Sequence, residues 1–477
     1  MSKLISNYLF NSFYQILILI IPFITMPYVA RVLSPDGLGV SAYSLSVAQI
    51  FVLFAVLGIP LYGSKQIAIA KIQGKEKISV EFWSIYLIQL IASLLCSLIF
   101  LLMIHIFFKD QSLIYFLQWF NIIAAMVDIS WLFIGLEELK KTVIRNTLTK
   151  VAGVALIFIF VKDQDDLITY IAINALTNLI GQLILWVQSK EYIGLPRFGK
   201  KNVLLHLKPI FVIFIPQIII QLYVVLDKII LGTLSNEEEV AMYDQGLKIV
   251  KMSLALVTSV VTVMLPRISS EFNQGNKDKF KYYVDYVLKF ILFMTIPMCI
   301  GLACIANNFV GWFFGPGYEK VGLILILLSP IVIIIGLSSV FGMQILLPTN
   351  QQNKLTISVT IGAAVSILTN IALIPFFDSV GAAIATVLAE ITVTIVQFIF
   401  VKEYIHLKQI IKENSPYLFS SIVMGGVILL LGIYVNVSPI LKTIIQLAIG
   451  LATYSLLLLI MKDKFLLDVK NKIFIKR

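Results

Sequence analysis

Apolar runs of about twenty residues, separated by short polar breaks, repeat from one end of the chain to the other. A helix rising about 1.5 Å per residue needs a run of that length to cross a hydrocarbon layer roughly 30 Å thick. Fourteen such stretches can be laid down, at 7–30, 40–61, 82–107, 112–136, 143–161, 167–187, 209–232, 240–265, 283–306, 321–346, 354–377, 380–401, 416–436 and 440–461. The pattern predicts an all-α polytopic membrane protein with about 14 transmembrane helices. The longest polar interruptions run to roughly twenty residues, which leaves no room for a sizeable soluble domain. Hydrophobic residues make up 59% of the 477 positions and charged residues only 13%, a balance foreign to soluble globular domains. The first apolar run follows a single lysine, Lys3, without a small-x-small cleavage pattern, and reads as an uncleaved first span.

Charge then orients the spans. The connections alternate in character, and one set of them, with both ends of the chain, holds 29 of the 37 basic residues. That set is net +17 and the remainder of the chain net −6. The positive-inside rule places the basic set, and so both termini, in the cytoplasm, which agrees with an even number of spans. The overall +11 is thus a topology signal. A nucleic-acid reading would want these residues gathered on one folded surface, and it is set aside.

A weak internal repeat suggests the organisation. The first span leaves through Leu33-Ser34-Pro35-Asp36 and the chain returns by Val40 and Tyr43; the seventh leaves through Leu234-Ser235-Asn236-Glu237 and returns by Val240 and Tyr243. Both exiting spans carry two prolines, Pro22 and Pro27 in one, Pro209 and Pro216 in the other. Interrupted segments in corresponding halves point to cavity-lining helices of a transporter. The expected division is a six-helix lobe over 1–208, a second over 209–412, and a further helix pair with a basic tail over 413–477.

Charge inside the apolar runs is the strongest functional signal. Asp227 and Lys228 close the seventh run, and Asp244, Lys248 and Lys251 follow inside the eighth at i, i+4 and i+7, on one helical face. A charge at bilayer depth costs at least a few kcal/mol unless it meets a partner or water. The stretch 225–252 therefore reads as one wall of a hydrophilic, partly cationic cavity. Either the lysines pair with Asp244 and Asp227 alone, or they also offer positive charge to an anionic substrate. Asp128 in the fourth span and Glu390 in the twelfth are further intramembrane carboxylates, suited to coupling, to pairing with a lysine, or to a structural hydrogen bond.

Other motifs carry less. The stretch 194–200 is P-loop-like, but Lys201 stands where a magnesium-binding hydroxyl is needed and no strand precedes it. Asp163 and Asp165 form a D-x-D in a very short loop and read as a solvated turn. His105, His206 and His406 sit on different loop ends and read as interfacial, and Cys96, Cys299 and Cys304 as buried small hydrophobes. No metal, cofactor or catalytic centre is expected, so the chain does not read as an enzyme.

The chain resembles the Wzx-type polysaccharide flippases, a branch of the multidrug/oligosaccharidyl-lipid/polysaccharide exporter superfamily. The resemblance runs over essentially the whole chain. It rests on Tyr28 to Leu33 closing the first span, Gly37-x-Gly39, the series Asp128, Trp131, Gly135 and Glu137, the Asp227-Lys228-x-x-x-Gly232 exit with Val240 and Tyr243, and Gly381-Ala382-Ala383 before Glu390. It implies two six-helix lobes around a central cavity, alternating access, and transfer of an undecaprenyl-diphosphate-linked oligosaccharide to the outer leaflet of the cytoplasmic membrane. The product would be a capsule, O-antigen-like or teichoic-acid polymer, with the pathway's polymerase and glycosyltransferases as partners. Cavity cations would receive the diphosphate, and by position these are Arg31, Lys248 and Lys251, the first six spans holding fewer basic residues than that role implies. Two other readings remain open at this stage. A multidrug exporter of the same superfamily would want acidic residues facing its cavity. A polysaccharide polymerase or membrane glycosyltransferase would want a large extracytoplasmic loop.

Overall fold

The computed structural model describes residues 3–196, 200–405, 407–463 and 465–466; His406, part of the P-loop-like stretch and most of the basic tail lie outside these. The described residues are almost wholly helical. In order they form α1 (Lys3–Val56), α2 (Ile59–Lys71), α3 (Lys75–Phe107), α4 (Ser112–Met126), α5 (Ser130–Gly135), α6 (Leu139–Phe160), α7 (Leu167–Ser189) and α8 (Lys200–Leu234). There follow α9 (Glu237–Asn273), α10 (Lys277–Phe313), α11 (Glu319–Leu328), α12 (Ile331–Ser339), a π-helical turn (Val340–Leu346), α13 (Gln352–Val401), α14 (Leu407–Tyr434) and α15 (Pro439–Ile460). Among the described residues eleven helical segments are long and apolar enough to cross a membrane, twelve if the bent α9 is taken as one span. Two of those segments run 52 and 50 residues, about 75 Å each if straight. Besides the Leu57–Gly58 step between α1 and α2, α1 and α13 are each interrupted by one non-helical residue. The interruptions, Ser34 (φ 62°) and Asp378 (φ 50°), fall in the polar gaps expected between the first two spans and between the eleventh and twelfth. At the first, Pro35 keeps Ser34 out of the helical region and opens the next helix itself.

The chain forms two compact units, Met1–Ile229 and Ile230–Arg477. The division falls inside α8, beyond the boundary expected at residue 208. In the second unit α14 and α15 pack on each other and on α10, so the C-terminal pair joins that unit's core. Buried polar groups fix the joint. Asn308 and Trp312 of α10 both donate to Thr443 Oγ1 of α15 at 2.8 Å, and Gln446 donates to the Ile428 carbonyl of α14 at 2.9 Å.

The first unit is built on an aromatic core. Phe82 stacks on Trp131 with ring centroids 5.2 Å apart, and Tyr86 meets Trp186 edge-on at 4.9 Å. Beside it His206, expected at an interface, is buried: its Nδ1 lies 2.8 Å from Tyr62 Oη and its Nε2 3.2 Å from Glu81. That triad ties α2, α3 and α8 together. The packing of α2 on α5 depends on two glycines. A Cβ at Gly63 would stand 2.6 Å from the Trp131 ring, and one at Gly135 would stand 2.5 Å from the Ser64 carbonyl oxygen.

Overpacking of this kind costs about 1–3 kcal/mol, more where backbone must move. Gly63→Val and Gly135→Val are therefore expected to lower the detergent melting temperature of the purified protein. Gly426→Ala on α14, which meets nothing within 4 Å, should leave it unchanged. Equal melting temperatures for all three variants would show that α2 and α5 do not pack this closely.

Candidate functional site

The start of α9 is anchored before its charges emerge. Asn236 caps it by accepting from the Glu239 amide at 2.9 Å, and the acidic residues 237–239 complement the positive end of the helix dipole. Glu239 takes Lys320 of α11 on both oxygens, at 2.6 and 2.7 Å, and accepts from the Ser379 amide at 3.2 Å and from its hydroxyl. Asp378, the residue that breaks α13, accepts from Ser235 Oγ at 2.6 Å and lies 3.9 Å from Lys320. Nothing in the local spacing of the sequence signals this knot, because its members come from three distant stretches. Its one hint is Lys320, which with Lys109 and Lys162 is one of three cations in connections that are mostly acidic.

Below that knot residues 240–247 are buried on every side of α9. Tyr243 Oη and Thr386 Oγ1 of α13 are 2.8 Å apart, and Gly246 lets α11 approach so closely that a Cβ there would meet Ile324 at 2.8 Å. Asp244 is 3% exposed, and Lys248, one turn on, donates to it at 2.6 Å while keeping its own side chain 45% exposed. Lys251 is exposed as well. The two lysines lie about 16 and 21 Å along α9 from its first residue, within hydrocarbon depth and beyond the reach of easy snorkelling. The sequence-derived stripe is thus one buried carboxylate, one cation shared between it and the surface, and a second exposed cation. Glu390 is half-buried on α13, one turn beyond Thr386.

The remaining candidates belong to the first unit. Arg31 is exposed on α1, three residues before the break at Ser34. Asp227 is buried on α8 and Lys228 half-buried. Asp128 sits in the gap between α4 and α5, where its Oδ1 accepts from the Ser130 amide at 2.8 Å. This carboxylate closes a backbone turn. Gln89 of α3 donates to the Ala125 and Asp128 carbonyls at 2.8 Å each, and Trp186 of α7 donates to Val127 at 2.8 Å, so the exposed ends of the broken helix are satisfied. The D-x-D motif is a turn: Asp163 accepts from the Asp165 amide at 3.1 Å and Asp166 from the Lys162 amide at 2.7 Å. Among the described residues no group of His, Cys, Asp and Glu could hold a metal ion.

This is the construction of a multi-spanning membrane transporter, with buried and exposed charge carried at depth on helices that are otherwise apolar. The chain belongs to the polysaccharide biosynthesis protein family, whose model matches residues 4–272, and the model of the lipid II flippase MurJ matches residues 146–447. It is 26% identical over 388 residues to the "Putative O-antigen transporter" of Escherichia coli (strain K12), covering 80% of this chain and 93% of that protein. It is 27% identical over 183 residues to the lipid II flippase MurJ of Bacillus subtilis (strain 168), covering 37% and 34%. The fold is that of a solved lipid II flippase MurJ in an inward closed conformation, with TM-score 0.74, 17% identity and coverage of 96% and 98%. A multidrug resistance MATE family transporter in an inward-facing conformation shares it at TM-score 0.57 and 13% identity, over 81% and 97%.

Lys248→Ala should leave the Asp244 carboxylate buried without its close cation, at a cost on the order of 1–3 kcal/mol given that the lysine end is half in solvent. A lower melting temperature is expected for that variant, with recovery in the Lys248→Ala/Asp244→Ala pair. An unchanged melting temperature for Lys248→Ala would mean that Lys248 does not hold Asp244 in its charged state.

Proposed function

We propose that this protein translocates undecaprenyl-diphosphate-linked oligosaccharide repeat units from the inner to the outer leaflet of the cytoplasmic membrane, for assembly of a surface polysaccharide. The observation that carries the reading is the pair of exposed lysines, Lys248 and Lys251, at hydrocarbon depth on a helix of a polysaccharide-family membrane protein. A diphosphate with its sugars cannot cross hydrocarbon unaided, since its polar groups would go unsatisfied there. It needs a wet, polar path with positive charge, while the prenyl chain stays in lipid. In this reading Lys248, Lys251 and Arg31 receive the diphosphate. Asp227, Lys228, Asp244 and Glu390 set the charge balance around it, and a polymerase and glycosyltransferases act before and after. The same lysines would repel the organic cations that a multidrug exporter carries. In this reading both termini lie in the cytoplasm, and an inside-negative potential favours outward movement of the anionic substrate by roughly 2.3 kcal/mol per charge per 100 mV.

Two measurements test this. Cells lacking the protein should hold complete lipid-linked oligosaccharide on the inner leaflet and little glycan at the surface. Lys251→Ala should reproduce that state at normal protein level, while Lys251→Arg should keep part of the export, because arginine retains the charge in a planar form. Accumulation of flipped but unpolymerised units outside the cell would instead identify a polymerase. Cysteine labelling in a cysteine-free background should reach positions 165 and 238 from outside intact cells, and positions 77 and 279 only after permeabilisation. Labelling of position 279 from outside would invert the topology.

A further inference from the structure

Among the described residues the buried amides of Gln89, Gln344 and Gln446 donate to backbone carbonyls. A different set lies on α7, where Asn174, Asn178 and Gln182 stand at i, i+4 and i+8 and so form one stripe about 12 Å long. The stripe begins about 10 Å and ends about 22 Å from the first residue of the helix, well inside hydrocarbon thickness. Asn174 and Asn178 are exposed, and Gln182 is half-buried. Leu176, Ile180, Leu183 and Val187 are exposed too, on the opposite side of the same helix. At about 100° per residue the two sets are roughly half a turn apart. The apolar side suits lipid. An exposed primary amide does not, because its remaining donors and acceptor would lose water and gain nothing. Asn174 spends one N–H on the Tyr170 carbonyl of its own helix at 2.9 Å, which leaves its oxygen and second N–H for the open side.

The stripe is also held from behind. Gln118 of α4 is buried and donates to the hydroxyl of buried Ser44 of α1 at 3.1 Å. Asn121 donates to Gln118 Oε1 at 2.9 Å, and Asn178 donates to Asn121 Oδ1 at 3.1 Å. Each amide in this relay fixes the orientation of the next. Asn178 spends one N–H inward, which leaves its carbonyl oxygen and second N–H for the open side. Gln182 is aimed in the same way: Arg145 of α6 donates to its Oε1 at 3.0 Å, so its NH2 group is directed away from the guanidinium. The close approach that makes this possible is the packing of α6 on α7, where a Cβ at Gly181 would meet Thr149 at 3.1 Å. The result is a row of fixed, uncharged donors and acceptors facing away from lipid, as a neutral hydroxyl-rich ligand requires.

We propose that Asn174, Asn178 and Gln182 form a binding surface for the uncharged sugar residues of the transported glycan, with Asn121 as a positioning residue behind Asn178. This rests on the function proposed above, and it separates recognition of the sugars from recognition of the diphosphate by lysines. Gln182 is left intact in the test, because its removal would disturb the buried Arg145. The probes are the lipid-linked repeat unit extracted from cells lacking the protein, and bare undecaprenyl diphosphate, each titrated into the purified protein by tryptophan fluorescence. The wild type should bind the glycosylated lipid more tightly than the bare one. Asn174→Ala and Asn178→Ala should each weaken the glycosylated lipid about three- to tenfold, as the loss of one or two neutral hydrogen bonds does, and leave the bare lipid unchanged. Asn178→Ser, which keeps a donor and an acceptor, should recover part of the loss and serves if the alanine variants are poorly folded. Ile180→Ala on the lipid side should change neither affinity. If the asparagine variants keep the wild-type preference for the glycosylated lipid, the amide surface is not the sugar site, while the flippase reading stands. If the wild type binds neither lipid, or no lipid-linked unit accumulates in cells lacking it, the flippase reading fails and the sugar site with it.

Discussion

No backbone or side-chain polar group can be left open inside hydrocarbon, and that constraint arranges the rest of this protein. A straight helix meets it without help, but these helices are not all straight. At several points a side chain from a neighbour takes up a main-chain carbonyl. Gln89 and Trp186 cover the carbonyls freed between α4 and α5, Gln344 in the π-helical turn donates to the Val261 carbonyl, and Gln446 donates to that of Ile428. Three buried glutamines thus act as clasps for main-chain oxygen. The clasp at α4 has a second effect: Gln89 Oε1 also accepts from Trp131 Nε1 at 3.1 Å, and so sets the ring against which Gly63 packs. Backbone satisfaction and core packing are the same contact there.

Charge obeys the constraint with less tolerance. Glu239 has its demands met by Lys320 and Ser379, and the knot they form with Asp378 and Ser235 holds the one strained residue of α13 in place. A non-glycine residue at positive φ costs on the order of 1–3 kcal/mol, and it persists because the surroundings over-determine it. Asp244 is treated differently. Its lysine reaches it from the open side and stays nearly half exposed, so the ion pair is a boundary between core and surface.

The spans were legible in the sequence because hydrocarbon thickness imposes a length, and the break at Ser34 because a proline follows it. The gap at residue 378 showed as a short polar step between two apolar runs. Asp128 shows the limit of that reading: a carboxylate within a span is visible in the sequence, but its use on the amide two residues ahead is not. His206 was legible as a polar residue near a span end, and its burial between Tyr62 and Glu81 was not, because it depends on how α2 and α3 meet α8. The Glu239 knot joins residues separated by 81 and 140 positions, and no local period carries that information. The amides of α7 are the opposite case. Their spacing is plain in the sequence, but attention to charge alone passes over neutral groups.

The shared lysine bears on how a carrier can let its substrate go. A bare ammonium in a low-dielectric site would hold a diphosphate strongly, since a charge interaction there is far larger than in water. Lys248 is not bare: an arriving anion competes with Asp244 for it, and the carboxylate reclaims the lysine when the anion leaves. On the proposed reading, net binding is then the difference between two similar interactions, and release is assisted by the partner left behind. Lys251, exposed on the next turn, supplies the attraction that this exchange lacks. A carrier that must bind on one face of the membrane and release on the other gains more from such a balance than from a deeper well, because only a difference in affinity between its two states moves the substrate forward.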